Sequence, residues 1–367
     1  MTDTGCQTGE ETEAVAQPSR AEQDRVVLAV DGNSLVHRSY HSQAGTGLHG
    51  ADGDPIWAVR GLLTQLVAAV DRFQPDVVLV GFDDPDVSWR REKWPQYKAN
   101  RSDKLPTLVR QLEVAAEVLR GLGVGVIVPA GLEADDMLAS AARAVAASGG
   151  TTVIVTSDRD AFALIDADTH VLRIINGGVE CSPLITAERL VLLLGVRPDQ
   201  YRDFAALRGD PSDNLPGVRG IGAKTAARIL AELGSAATAF AVPDEVARSL
   251  GSSVADRLQA SDARATWELN RRVMAMRDDV PIDVAALPTL PLLPAAVRAT
   301  FDAMQLRWTT AEALRVLCGE PGSVTDERRQ AWDNVPPDAV SWAPRPGPIV
   351  RRKVRDAVAA NQLALFD

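Results

Sequence analysis

From Val26 onward, short apolar runs alternate with longer stretches that repeat like helices. The segments Val26 to Val30, Asp76 to Phe82, Val124 to Val128 and Thr151 to Thr156 carry near-continuous apolar runs of strand length. That is the pattern of strands covered on both faces. Between the first two, Leu62, Leu66, Ala69 and Val70 recur at helical spacing, which predicts an amphipathic helix from about Trp57 to Phe73. Asn33 and Ser34 follow the first strand with helix-starting chemistry. Strands alternating with helices predict an α/β fold with a mostly parallel sheet. From Ala226 to about Leu317 the repeat is helical, broken by a Pro- and Leu-rich connector at Pro281 to Pro294. Residues 1–24 lack apolar periodicity and read as a disordered acidic tail. Gly319 to Pro348 gathers Pro, Ser and Gly around Trp332 and Trp342 and reads as a linker.

Acids follow every strand. Asp31 ends the first, Asp83 the second, and Asp158 and Asp160 the fourth, while Glu133, Asp135 and Asp136 follow the third after a short turn. Open parallel sheets bind ligands beyond the carboxyl ends of their strands, so these acids are expected to converge on one edge. A merely solvated face would scatter them. Such a cluster repels itself, and its members take up protons unless cations neutralise them. Carboxylates suit Mg²⁺ or Mn²⁺, and no His or Cys cluster competes for a softer metal. His37 and His41 are spaced to share a zinc ion but lack a third ligand, and read as ordinary histidines.

Further on, Gly209 to Thr225 reads GDPSDNLPGVRGIGAKT. Asp210 and Asp213 are hard oxygen ligands pinned by Pro211 and Pro216. Gly217, Gly220 and Gly222 then precede Lys224 and Thr225 at a helix start, which suits a phosphate. A phosphate-binding GxxxxGK[ST] loop is excluded because Ala223 displaces the lysine by one position. A plain loop explains the prolines and glycines alone; carboxylates beside a phosphate site point to phosphodiester chemistry.

The net charge of −10 argues against a basic coat for nucleic acid, so any polyanion contact must be local. Three of the five lysines, Lys93, Lys98 and Lys104, fall between Asp86 and Thr107, interleaved with Trp89, Trp94 and Tyr97. Cations and aromatic faces together grip single strands, although a solvated loop shares that composition. Cys6, Cys181 and Cys318 are isolated and read as thiols of a reducing cytosol. No run approaches the ~20 apolar residues of a membrane span, and the acidic start is no signal peptide. A soluble cytoplasmic protein is expected.

In order, VDGNSL, GFDDP, YKANR, GLEADD, TSDRD, GDPSDNLPGV and GIGAKTA closely resemble the bacterial 5′ nuclease family, over roughly residues 25–315. That family includes flap endonucleases and the N-terminal domain of DNA polymerase I. The resemblance implies a PIN-like core (25–205) with a helical arch at about 84–107, then a helix-three-turn-helix DNA-binding domain (206–317). It implies a metal site of Asp31, Asp83, Glu133, Asp135, Asp136, Asp158, Asp160, Asp210 and Asp213. Two ions about 4 Å apart would straddle the scissile phosphate. Arg90, Tyr97, Lys98 and Arg101 take the catalytic arch-base positions. K⁺ is implied at the backbone of Leu207, Arg208, Pro216, Val218 and Ile221, with duplex DNA held by Gly220, Ile221, Gly222, Ala223, Lys224 and Thr225. Ser157 stands where glycine is common and Trp89 where a smaller or phenyl side chain is frequent. Since no polymerase sequence follows, a stand-alone, monomeric, nucleoid-associated 5′-3′ exonuclease and flap endonuclease is implied.

The chain ends QLALFD after a linker spanning 318–361, and Gln362, Leu363, Leu365 and Phe366 resemble the bacterial sliding-clamp-binding peptide. A helix end has the same composition; a tethered peptide gains effective concentration. Two alternatives stay open: a PIN-type ribonuclease, and a non-catalytic binder of branched DNA.

Overall fold

The computed structural model describes residues 25–319 and Trp332. The acidic tail, nearly all of the linker and the Gln362–Phe366 peptide lie outside the described residues. The chain runs β1 (Val26–Asp31), α1 (Gly32–Gln43), α2 (Trp57–Phe73), β2 (Val77–Gly81), α3 (Trp89–Lys93), α4 (Pro106–Leu122), β3 (Gly125–Ile127), α5 (Ala134–Ala147), β4 (Thr151–Thr156), β5 (Thr169–Arg173) and β6 (Leu184–Ile185). Helices α6 (Ala187–Leu194) and α7 (Pro198–Arg208) lead to a hairpin of β7 (Gly209–Asp210) and β8 (Leu215–Pro216). After it come α8 (Ala223–Leu233), α9 (Ala236–Ala241), α10 (Pro243–Leu250), α11 (Ser252–Leu258), α12 (Ala263–Val273), α13 (Pro294–Ala303) and α14 (Thr310–Cys318).

The main sheet has the order β3-β2-β1-β4-β5-β6, parallel except for the β5–β6 pair. Residues of β1 alternate between two cores. Val26, Leu28 and Val30 face α1, α2 and α4, while Val27 and Ala29 face α5, α7 and the helices beyond. Double burial explains the unbroken apolar run. Each such side chain contributes roughly 1.5–3 kcal/mol on burial, a sizeable share of the ~5–15 kcal/mol by which a domain is stable. The sequence pattern did not announce β5 and β6: THVLR carries polar His170 and Arg173, which are only partly buried on this flanking strand.

Three expectations change. The stretch 206–317 is not one body, because its last part returns to the sheet unit. Thr289 bridges Val77, the Leu290 amide donates to Asp76 O (2.8 Å), and Leu292, Val297, Phe301 and Leu317 enter the α1–α2–α4 core. Trp332, expected within a linker, is 5% exposed and meets Phe73 edge-on at 5.5 Å. The expected helical arch is also short: α3 has five residues, and turns follow up to α4. Pro95 and the left-handed Lys98 (φ 55°) stop helix propagation there.

Candidate metal centre and nucleic-acid interface

Strand β1 has β2 on one side and β4 on the other, so chain connections diverge there. Such a switch point opens a crevice at the carboxyl ends of the strands. Asp31, the last residue of β1, accepts bonds from the Ser34 amide and the Thr156 hydroxyl, both 2.8 Å, and so caps α1. Asp83 follows β2. Its Oδ2 accepts from Asn33 Nδ2 (2.7 Å), its amide donates to Asn33 Oδ1 (3.0 Å), and its Oδ1 takes the Ala134 amide at the start of α5 (3.0 Å). Asp135 lies in the first turn of that helix. Asp158 lies just past β4 and accepts the Asp160 amide (2.9 Å). Strand ends and helix starts thus deliver acids far apart in sequence to one crevice.

Their electrostatics are those of an uncompensated cluster. Burial, with repulsion from Asp83 and Asp158, raises the Asp31 pKa to about 7, against lowering bonds from Ser34 and Thr156. Asp135 is pushed well above the carboxylate range by burial and by Asp31 and Asp158. Asp160 is raised likewise by burial and by Asp158, Asp210 and Asp213, and its Oδ1 is buried without a hydrogen-bond partner. Burial also raises Asp213, although Lys98 and Arg101 oppose it. Mutually repelling carboxylates with an unpartnered buried oxygen fit a divalent cation. Among the described residues no three such groups already form a finished metal cage. Lys98 occupies Glu133 and Arg101 occupies Asp213 instead, so those two cations must turn away before an ion is received.

The segment between β2 and α4 supplies those cations. Lys98 Nζ lies 3.2 Å from both Glu133 oxygens, and Arg101 Nη2 lies 2.5 Å from Asp213 Oδ1. Burial opposes charge on Lys98, but Glu133, Asp213 and Asp135 outweigh it and hold its pKa above the lysine range. Lys104 Nζ approaches Asp83 at 3.9 Å. His37, on the neighbouring helix, is lowered to about 4 by burial and by Lys104, His41 and Arg101, so it stays neutral.

Arg90 and Asp136 leave the reactive set. Arg90 is 2% exposed and forks onto Asp136 at 2.7 and 2.6 Å, with further bonds to Glu133 and to the Val273 and Ala275 carbonyls. Asp136 is fully buried. Its Oδ1 also accepts the Arg277 amide (2.7 Å) and its Oδ2 the Glu133 amide (3.1 Å). A carboxylate has about four acceptor sites. All are filled, so Asp136 cannot ligate a metal; it anchors Arg90, which helps to position Glu133. Tyr97 is a positioning residue too, buried and donating to Glu133 Oε2 (3.1 Å).

Asp210 and Asp213 come from the β7–β8 hairpin. A Cβ on Gly217 would stand 2.0 Å from the Arg208 carbonyl oxygen, and one on Gly209 (φ 79°) 2.2 Å from Gly217 N. Only glycines allow so close a crossing. Of the carbonyls expected to hold K⁺, Leu207 accepts the Val218 amide (2.9 Å), Val218 the Ile221 amide (2.9 Å) and Pro216 the Asn270 amide group (2.8 Å). Each keeps a second lone pair. Ile221 is buried, while Gly222 caps α8 and opens the run Ala223, Lys224 and Thr225. Gly220 sits at φ 78°, its carbonyl bound by Arg257 (2.8 Å). Asn270 was missed, yet it left a signal: a polar residue on the buried stripe Trp267, Asn270 and Val273. It also bonds Ala206 O (3.0 Å) and so ties α12 to α7 and to the β8 arm of the hairpin.

Two family models match the chain: the 5′-3′ exonuclease N-terminal resolvase-like domain over residues 26–191, and the 5′-3′ exonuclease C-terminal SAM fold over residues 196–293. DNA polymerase I of Mycobacterium bovis is 34% identical over 314 residues, covering 84% of this chain and 34% of the polymerase. The chain thus spans about a third of the length of that curated relative. A solved T5 5′-exonuclease with bound zinc has a TM-score of 0.53 at 18% identity, covering 85% of this chain and 98% of that one. The catalytic core of Rad2 in complex with DNA substrate has a TM-score of 0.51 at 17% identity, covering 82% and 94%. The structural likenesses establish the α/β architecture with its helical second part, and the sequence matches place this chain in the 5′-3′ exonuclease family.

Proposed function

We propose that this chain is a metal-dependent, structure-specific DNA 5′ nuclease, hydrolysing phosphodiesters at 5′ flaps and 5′ ends in DNA replication and repair. The observation that carries the reading is the meeting of Asp31, Asp135, Asp158 and Asp160 in one crevice beside Lys98 and Arg101. Asp31, Asp83, Glu133 and Asp135 are assigned to one Mg²⁺ or Mn²⁺. Asp158, Asp160 and Asp213 are assigned to a second, with Asp210 acting directly or through water. The bound ions supply charge neutralisation and an acidified water. Lys98 and Arg101, turning from Glu133 and Asp213 towards the phosphate, offset its charge as preorganised cations. Glu133, held by Tyr97 and Arg90, stays in place meanwhile.

The duplex is assigned to Gly220–Thr225 at the start of α8, with K⁺ at the backbone of Leu207, Arg208, Pro216, Val218 and Ile221. The zinc-bound T5 5′-exonuclease and the DNA-bound Rad2 core support metal and DNA as ligands. A monomer in the cytoplasm, associated with the nucleoid, follows from the same reading. Among the described residues no helix is long and apolar enough to cross a membrane. Gln362, Leu363, Leu365 and Phe366 are assigned to a sliding clamp, and undiminished clamp pull-down by Leu365→Ala with Phe366→Ala would end that assignment.

Incision of a labelled 5′-flap duplex, with and without Mg²⁺ and beside an RNA strand of matched shape, tests the function. Mg²⁺-dependent incision near the DNA junction is expected. Binding without incision supports the non-catalytic binder, and preference for RNA supports the ribonuclease.

A further inference from the structure

A second cleft, about 610 Å³, opens between α3 and α12, and none of the acids of the metal site lines it. Its walls include Trp89, Lys93 and Trp94 on one side and Arg202, Arg264 and Arg272 on the other. Five of its lining residues are cations and one, Glu268, is a carboxylate. Glu268 is already committed to Arg264 (3.0 Å), and Arg271 to Asp203 (3.0 Å). Lys93, Arg202 and Arg272 form no ion pair among the described residues. Burial and neighbouring Arg271 hold Arg202 below the usual guanidinium range, against the opposing effect of Asp203 and Asp278. Trp89 Nε1 and Arg202 Nε are buried donors without an acceptor.

The aromatic side is equally specific. Trp89 and Trp94 stand 5.3 Å apart between centroids, and the exposed Lys93 ammonium lies 5.4 and 5.1 Å from them. Lys93 is on a flexible stem and can leave the rings for a phosphate. Cations for a backbone and indole faces for bases are the two components of a single-strand site. A phosphopeptide would use the cations and leave the indoles idle.

We propose that this cleft holds a short unpaired stretch of the DNA substrate, giving α12 a strand-binding role separate from the hairpin that takes the duplex. The proposal rests on the nuclease reading for the source of the strand. Its test does not require cleavage. Fluorescence anisotropy with a labelled oligothymidylate and with a blunt duplex, both in EDTA, compares the wild-type chain with Lys93→Ala/Arg272→Ala and with Trp94→Ala. Oligothymidylate binding should weaken roughly tenfold in each variant, with duplex binding within about twofold. An unchanged oligothymidylate affinity, or equal loss for both ligands, overturns the proposal. In Mg²⁺, the same variants should raise KM for a long flap more than for a one-nucleotide flap, with kcat retained. A KM rise independent of flap length overturns it as well. Failure of the wild-type chain to cut any flap counts against the nuclease reading, while the anisotropy result still decides the cleft.

Discussion

Asp136 and Asp158 are both acids of the recognised motifs, yet their surroundings assign them opposite work. Asp158 is exposed at the crevice, whereas Asp136 is sealed around Arg90. Asp158→Asn should therefore keep the fold and cut incision at least a hundredfold, more than the ~10–100-fold typical of residues behind a ligand. Asp136→Asn should instead destabilise the protein by about 3–5 kcal/mol in denaturant melts, because it leaves a buried guanidinium half-paired. If the two variants behaved alike, the division of roles would be wrong. Lys98→Ala should lower turnover more than duplex affinity, measured by single-turnover incision beside anisotropy; the reverse result would make Lys98 a docking residue. The sequence disclosed which acids follow strands, since strand ends are local facts. It could not disclose that Arg90 fills Asp136, because that pairing is made across 46 positions and is completed by carbonyls at the C-terminal end of α12.

Among the elements, the strands were most legible and the segment between β2 and α4 least. Continuous apolar runs identify doubly covered strands, and four of the six in the main sheet were anticipated; β5 was hidden by its polar residues and β6 by being only two residues long. The segment carrying Lys98 is shaped by prolines and by its hold on acids of other elements. Lys98 N donates to Asp213 O (2.9 Å), and Asn100 Nδ2 to Pro211 O (3.0 Å), so it is folded down over the β7–β8 hairpin. The hairpin itself depends on the Gly209–Gly217 crossing. Gly217→Ala should force the arms apart, cost about 1–3 kcal/mol or more, and weaken duplex binding together with metal affinity. Thermal unfolding and anisotropy check it; a variant with wild-type stability would show that the crossing relaxes more readily than its 2.0 Å approach implies.

For the whole molecule, convergence of acids makes stability depend on pH and on cations together. Asp31 titrates at about 7 in the folded chain, above the ~3.9 of an unfolded aspartate, so the folded state holds the proton longer. The penalty is absent below about 4, grows as pH rises, and is complete above about 7; Asp135 and Asp160 add in the same direction. Metal-free protein should melt higher at pH 5.5 than at pH 8, and Mg²⁺ should raise the melting temperature more at pH 8. An apo protein most stable at pH 8, indifferent to Mg²⁺, would count against the cluster. The return of residues 289–318 to the sheet unit was not legible, because the apolar positions of α13 and α14 repeat alike whichever core they join. The most direct test is anomalous diffraction from a crystal soaked in manganese. Peaks within coordination distance of Asp31, Asp135 and Asp158 are predicted; no peaks there, with those oxygens directed to separate surfaces, would contradict the account.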